Sequence, residues 1–116
     1  MPFVENCWYV AAWARDVRAD PVSRTVLGRK IALFRGEDGV VGALEDRCPH
    51  RLLPLSQGRV KGNALCCGYH GLAFDGAGLC VDAPTQDTVP PGAGVRAYPV
   101  AERLGMVEEM IFRNSR

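Results

Sequence analysis

Histidine is almost missing from this chain: among 116 residues only His50 and His70 are histidines. Long apolar runs are missing too, the longest being Cys7 to Ala14, far short of the ~18 residues expected of a membrane-spanning helix. No basic start leads into an apolar stretch and a small-residue cleavage site, which argues against secretion. Neither sign of charge prevails. The 14 Lys and Arg face 13 Asp and Glu, scattered to a net +1, so nothing marks a face for nucleic acid or another polyanion. No segment sustains a 3.6-residue apolar period, so helix should be scarce. Repeats and low-complexity segments are absent as well. The five cysteines are an odd number, and two of them sit at metal-ligand spacing. That argues against a secreted disulfide framework and for a reducing cytoplasm. A chain of this length suits one domain with a single modest core, burying roughly 65% of its unfolded surface.

What is present is a series of short strand candidates. Trp8 to Trp13 is apolar and aromatic with no helix cap before it, which suggests a short buried strand with both tryptophans in the core. Asp16 to Pro21 is turn-rich. Val22 to Leu27 and Ile31 to Phe34 flank Gly28-Arg29-Lys30, and Gly36-Glu37-Asp38-Gly39 separates the second from Val40 to Leu44. Such spacing predicts an antiparallel meander. Ala64 to Cys66, then Leu72 to Phe74 and Leu79 to Val81 about Asp75-Gly76-Ala77-Gly78, supply a further strand and a hairpin. Asp82 to Gly94, carrying Pro84, Pro90 and Pro91, is a returning loop, and Val95 to Tyr98 and Met106 to Phe112 are the last candidates. The fold class expected is all-β, an antiparallel sandwich or barrel into which a small subdomain, about 47 to 81, is inserted.

The chemistry concentrates between Cys48 and His70. Cys48-Pro49-His50 is followed, after sixteen residues, by Cys67-Gly68-Tyr69-His70, so two loops each offer one thiolate and one imidazole. Ligand type alone leaves zinc, copper, iron and iron-sulfur clusters open. Structural zinc sites usually pair like with like, cysteine with cysteine and histidine with histidine. Mixed pairs suit a binuclear centre in which each loop serves both metal ions. Pro49 and Pro54 stiffen the first loop, Asp46 to Ser56, and Gly68 and Gly71 bracket the second and free its amides to turn towards cluster sulfurs.

These residues resemble the Rieske 2Fe-2S pattern, in which two cysteines hold one iron and two histidines the other. Cys48-Pro49-His50-Arg51, Pro54-Leu55-Ser56-x-Gly58 and Cys67-Gly68-Tyr69-His70-Gly71-Leu72-x-Phe74-Asp75 are similar to the N-terminal domain of Rieske non-haem iron oxygenases. Asn6-x-Trp8-Tyr9-Val10-Ala11-Ala12-Trp13 resembles the vanillate and related aryl-ether O-demethylase branch. The likeness runs from about Phe3 to about Gly105. It implies that Cys48, His50, Cys67 and His70 bind a Rieske-type 2Fe-2S cluster. With two thiolates and two neutral imidazoles the diferric core carries no net charge, so an added electron costs less than on an all-cysteine dianion. High-potential respiratory members carry an extra cysteine in each loop and a serine after the second His-Gly. Here those positions hold Leu53, Tyr69 and Leu72, which implies a potential near the low end, on the order of −150 mV.

Each residue also has a plainer reading. His50 and His70 could be satisfied structural histidines, but both fall in the pattern and no others exist. Cys66 neighbours Cys67 but has the wrong spacing to His70, and with Cys7 and Cys80 it is expected to pack as a small apolar side chain. Tyr69 is expected to cover the cluster. Arg47 and Arg51 are either steering charges for a partner or solvated flanks.

The resemblance implies an electron-transfer module. A flavin- or ferredoxin-type reductase would donate, and the mononuclear iron of an oxygenase catalytic domain, in a neighbouring subunit of a trimer, would accept. That iron needs two further histidines, which these 116 residues lack. Substrate oxidation by this chain alone is therefore not expected, and Met106-Val107-Glu108-Glu109-Met110 departs from the aromatic strand that leads into such a domain. A shortened chain, a divergent fragment and an independent carrier all stay open. The rivals are a free-standing Rieske ferredoxin and, more remotely, a structural zinc module.

Overall fold

Ile31-Ala32-Leu33-Phe34 has no polar residue to alternate with its apolar ones, the mark of a strand buried on both faces. In a computed structural model, which describes residues 8–18, 20–48, 54–68, 72–82 and 94–110, this run is the middle of strand β3 (Arg29–Arg35). Ile31 and Leu33 point into one buried cluster with Ala12, Val17, Val41, Ala43, Tyr98 and Val107. Ala32 and Phe34 point the other way, into a second cluster with Leu44, Leu55, Leu65, Leu72, Phe74, Cys48 and Cys67. The central sheet is thus a partition between two cores, and the second core holds both motif cysteines.

That sheet has the order β2-β3-β4-β9, with β2 at Val22–Val26, β4 at Val41–Glu45 and β9 at Ala97–Tyr98. The β2-β3 hairpin turns on Leu27 and Gly28, both at positive φ (52° and 75°). A two-residue turn with φ positive at both positions matches the twist of the strands it joins. Arg29 and Lys30 therefore already belong to β3 and not to the turn expected from the sequence. Leu104 and Gly105 (φ 51° and 78°) repeat the device between β10 (Val100–Arg103) and β11 (Met106–Met110).

β11 pairs antiparallel with both β10 and β1 (Trp8–Trp13) to make the second sheet, which covers the Ile31 face. Here the tryptophans depart from expectation. β1 is an edge strand with a register shift between Val10 and Ala12, and it sends the small Ala12 inward. Trp13 stays 52% exposed beneath the Arg15 guanidinium, 5.1 Å from the ring centre, and half-buried Trp8 lies under Arg103 at 5.2 Å.

β4 and β9 are neighbours, Ala43 opposite Tyr98 and Leu44 opposite Ala97, although more than fifty residues separate them in the chain. The intervening segment is an excursion from the central sheet, which is the insertion expected. It carries the third sheet, in order β5 (Arg59–Lys61), β6 (Ala64–Cys66), β7 (Ala73–Phe74) and β8 (Cys80–Asp82). β5, with its single half-buried valine, has no apolar run to announce it, and β8 reaches one residue beyond the expected limit at Val81. The β7-β8 turn is closed by Asp75, whose Oδ1 accepts the amides of Ala77 and Leu79, both at 3.0 Å. Apart from two 3-10 turns at Ala14–Asp16 and Leu55–Gln57, the regular structure of the described residues is antiparallel strand. No helix among them is long and apolar enough to cross a membrane.

Candidate metal centre

The first motif loop leaves β4 and returns at the 3-10 turn, and a single carboxylate joins its two ends. Asp46, the one buried charged side chain among the described residues, accepts the Ser56 amide on Oδ1 at 2.7 Å and the Ser56 hydroxyl on Oδ2 at 2.6 Å. Its own amide donates to the Lys30 carbonyl at 3.0 Å, so the loop is tied to the central sheet where it departs. Bonds to an ionised acceptor are the strong kind. Cys48 lies two residues inside this clasp, fully buried.

The second loop is closed by a backbone hydrogen bond. Cys67 N donates to Leu72 O at 2.7 Å, directly beyond the Cys66-Ala73 pair of β6 and β7, so residues 68–71 form the connection. The two loops are then held against each other by glycine. A Cβ on Gly58 would lie 1.8 Å from the Cys66 carbonyl oxygen, and one on Gly68 would lie 3.3 Å from that of Gln57. Only a residue with no side chain allows the first approach.

Of the four expected ligands, the structure brings Cys48 and Cys67 into one apolar cluster, 0% and 4% exposed. His50 and His70 lie outside the described residues, as do Arg51, Leu53, Tyr69 and Cys7. Cys66 is buried as expected, and burial pushes its thiol up from the ordinary value, against the lowering pull of Arg59 and Lys61. A thiol so held stays protonated and packs as a small apolar side chain. Cys80 is only half-buried, its sulfur 3.5 Å from the Asp82 carbonyl. Arg47 is exposed and pairs with Glu45 at 3.4 Å. Among the described residues no three His, Cys, Asp or Glu side chains gather where a metal ion could sit, so no second centre competes with the motif there. Nothing in the sequence marks Asp46 as a working residue. Its partner is ten positions away, and nothing local distinguishes it from the other acids.

The donor set fits a 2Fe-2S group. Two thiolates and two imidazoles make the oxidised centre neutral, and a neutral centre is the kind that apolar walls such as Leu55, Leu65, Leu72 and Phe74 tolerate. An all-antiparallel domain that buries two cysteines from two opposed loops in one apolar cluster has the build of a small iron-sulfur protein. The model of the Rieske [2Fe-2S] domain matches residues 7–99. The chain belongs to that family, whose cofactor is the Rieske-type 2Fe-2S cluster.

Among its relatives are the oxygenase components of bacterial oxygenase systems. It is 47% identical over 108 residues to the oxygenase component of dicamba O-demethylase of Stenotrophomonas maltophilia, covering 92% of this chain and 32% of the relative. It is 40% identical over 105 residues to the vanillate O-demethylase oxygenase subunit of a Pseudomonas species, covering 90% and 29%. The crystal structure of dicamba monooxygenase bound to dicamba superposes with a TM-score of 0.91 at 45% identity, over 96% of this chain and 34% of that one. The chain thus spans about a third of the length of the relatives it matches.

Proposed function

We propose that this chain is the electron-carrying part of an oxygenase component acting on an aromatic ring or aryl ether. It takes one electron at a time from a flavin- or ferredoxin-type reductase and passes it to the iron of an oxygenase catalytic domain. The reading assigns Cys48 and Cys67 to one iron and His50 and His70 to the other, and treats residues 1–116 as a single Rieske domain whose cluster-binding part is about 47–81. When bound, the cluster supplies reversible one-electron chemistry with no open coordination position.

The chain's own residues do the rest. Cys48 and Cys67 present sulfur from buried positions, and the Asp46-Ser56 clasp and the Cys67-Leu72 bond hold the loops that carry them. Leucines and Phe74 keep water from the sulfur side, and a centre that need not rearrange its surroundings exchanges electrons readily. A protein that commits two thiols to iron suits a reducing cytoplasm. The observation that carries the reading is the meeting of Cys48 and Cys67 in one apolar cluster on the insertion side of the central sheet.

Anaerobic purification with metal and sulfide analysis tests it. Two irons and two acid-labile sulfides per chain are expected, with a brown colour that His50→Ala, His70→Ala, Cys48→Ser or Cys67→Ser abolishes and Cys66→Ala leaves in place. The potential should lie on the order of −150 mV, the low end for Rieske centres. Stoichiometric zinc without sulfide would turn the reading to a structural zinc module.

A further inference from the structure

A cavity of about 240 Å³ opens at the root of the first cluster loop, where β3 begins and β4 and β9 meet. Four cations line it, Arg29, Lys30, Arg47 and Arg96, against two carboxylates, Glu45 and Asp46. The carboxylates are already engaged, Asp46 by Ser56 through both oxygens and Glu45 by Arg47. Among the described residues Arg29, Lys30 and Arg96 have no hydrogen-bond or ion-pair partner for their side chains, and the Nε of Arg96 is buried without an acceptor. A buried guanidinium N-H left unpaired is costly, so the Arg96 side chain gains from any rearrangement that brings it an acceptor. The chain as a whole carries only +1, so a net +2 among the side chains lining one cavity is a local feature, unlike the extended stripe that a nucleic acid needs.

We propose that this cavity receives an acidic side chain of the protein that delivers electrons to the cluster. The inference rests on the electron-transfer reading above and names the contact that reading requires. A guanidinium fork holds a carboxylate in a fixed orientation, so the cavity would set the angle of approach as well as attract the partner. The position is the telling part. Arg47 immediately precedes Cys48, and Asp46 is both a wall of the cavity and the clasp of the loop that Cys48 sits on. A carboxylate seated here brings the partner's surface against the first cluster loop. Attraction between opposite patches raises the rate of productive encounter and is weakened by salt.

The test uses the cluster-loaded protein and two reductants in stopped flow, an acidic plant-type ferredoxin and a photoreduced uncharged flavin. The variants are the double Arg29→Gln/Arg96→Gln and the single Lys30→Glu, the latter at an exposed position where folding is not at stake. With the ferredoxin at low salt, both should reduce about tenfold more slowly than the parent, the gap closing to about twofold near 0.5 M salt. Flavin rates and visible spectra should match the parent. Equal ferredoxin rates in parent and variants overturn the proposal, as does equal slowing with the flavin. Should calorimetry show that inorganic phosphate binds the parent and not the variants while ferredoxin rates stay the same, the cavity is a small-anion site and the proposal falls. If neither reductant reduces the parent, the electron-transfer reading itself fails and takes this one with it.

Discussion

Ser56 and Asp46 show how one side chain can tie together the two ends of a loop. Both oxygens of Asp46 are used, and the carboxylate is 8% exposed, so removing the acceptor strands two donors in a site that water scarcely reaches. Ser56→Ala removes one hydrogen bond to a charged group and should cost about 2 kcal/mol in chemical denaturation, with Asp46→Ala costing more. Both should lose iron faster than the parent on challenge with a chelator. Gly58 makes the opposite kind of demand, for the absence of atoms. Gly58→Ala drives a methyl into the Cys66 carbonyl, and separating β5 from β6 to make room should cost about 3 kcal/mol. Denaturation with and without the cluster measures this; a variant as stable as the parent would mean that the strands part without penalty. The Cys-x-His and Cys-x-x-His words were legible in the sequence because ligation needs particular donors at short spacing. The clasp and the glycine contact join residues eight and ten positions apart and have no such signature.

At the scale of elements, the sheets are joined by the side chain of Arg35 at the end of β3. Its guanidinium donates to the carbonyls of Val17 (2.7 Å) and Ala14 (3.1 Å) after β1, and to Gly39 (2.8 Å) in the β3-β4 turn. It also pairs with Glu102 of β10 at 2.8 Å. The ion pair is partly exposed, so water screens it, and Glu102→Gln should cost only about 0.5 kcal/mol. Arg35→Met removes the donors to three carbonyls as well and should cost about 2 to 3 kcal/mol. A double-mutant cycle in urea checks the ordering: a coupling as large as the whole Arg35 effect would place the energy in the ion pair instead of the carbonyls. The inserted sheet has its own tie, between turns, where Glu37 N donates to Gly62 O at 3.0 Å and Asp38 N to Asn63 Oδ1 at 3.0 Å. Strand positions could be anticipated from apolar runs and turn residues. β5 and β10 could not, because half-exposed strands carry few apolar residues and are fixed by the neighbours they pair with.

For the whole molecule, the partition between two cores has a consequence for metal removal. One core lies between the central sheet and the β1-β11-β10 sheet and contains no expected ligand; the other contains Cys48 and Cys67. Stripping the cluster should loosen the second core and spare the first. In hydrogen exchange of the iron-free protein, amides of Leu65, Cys67 and Phe74 should lose protection by about a hundredfold, while those of Leu33 and Ala43 change little. Uniform loss across both cores would instead mean that the metal organises the entire fold.

The amino-acid sequence by itself pointed to the all-β class and set two cysteine-histidine pairs at the spacing of metal ligands, since strand patterning and donor spacing are properties of neighbouring residues. Tertiary structure alone decided that the tryptophans of β1 remain at the surface, that β4 and β9 lie side by side across the insertion, and that Asp46 reaches Ser56. It also gathered Arg29, Lys30 and Arg96 around one cavity. Each of these depends on which distant backbones come together, and a chain read in one dimension carries no record of that until packing brings them within a bond's length.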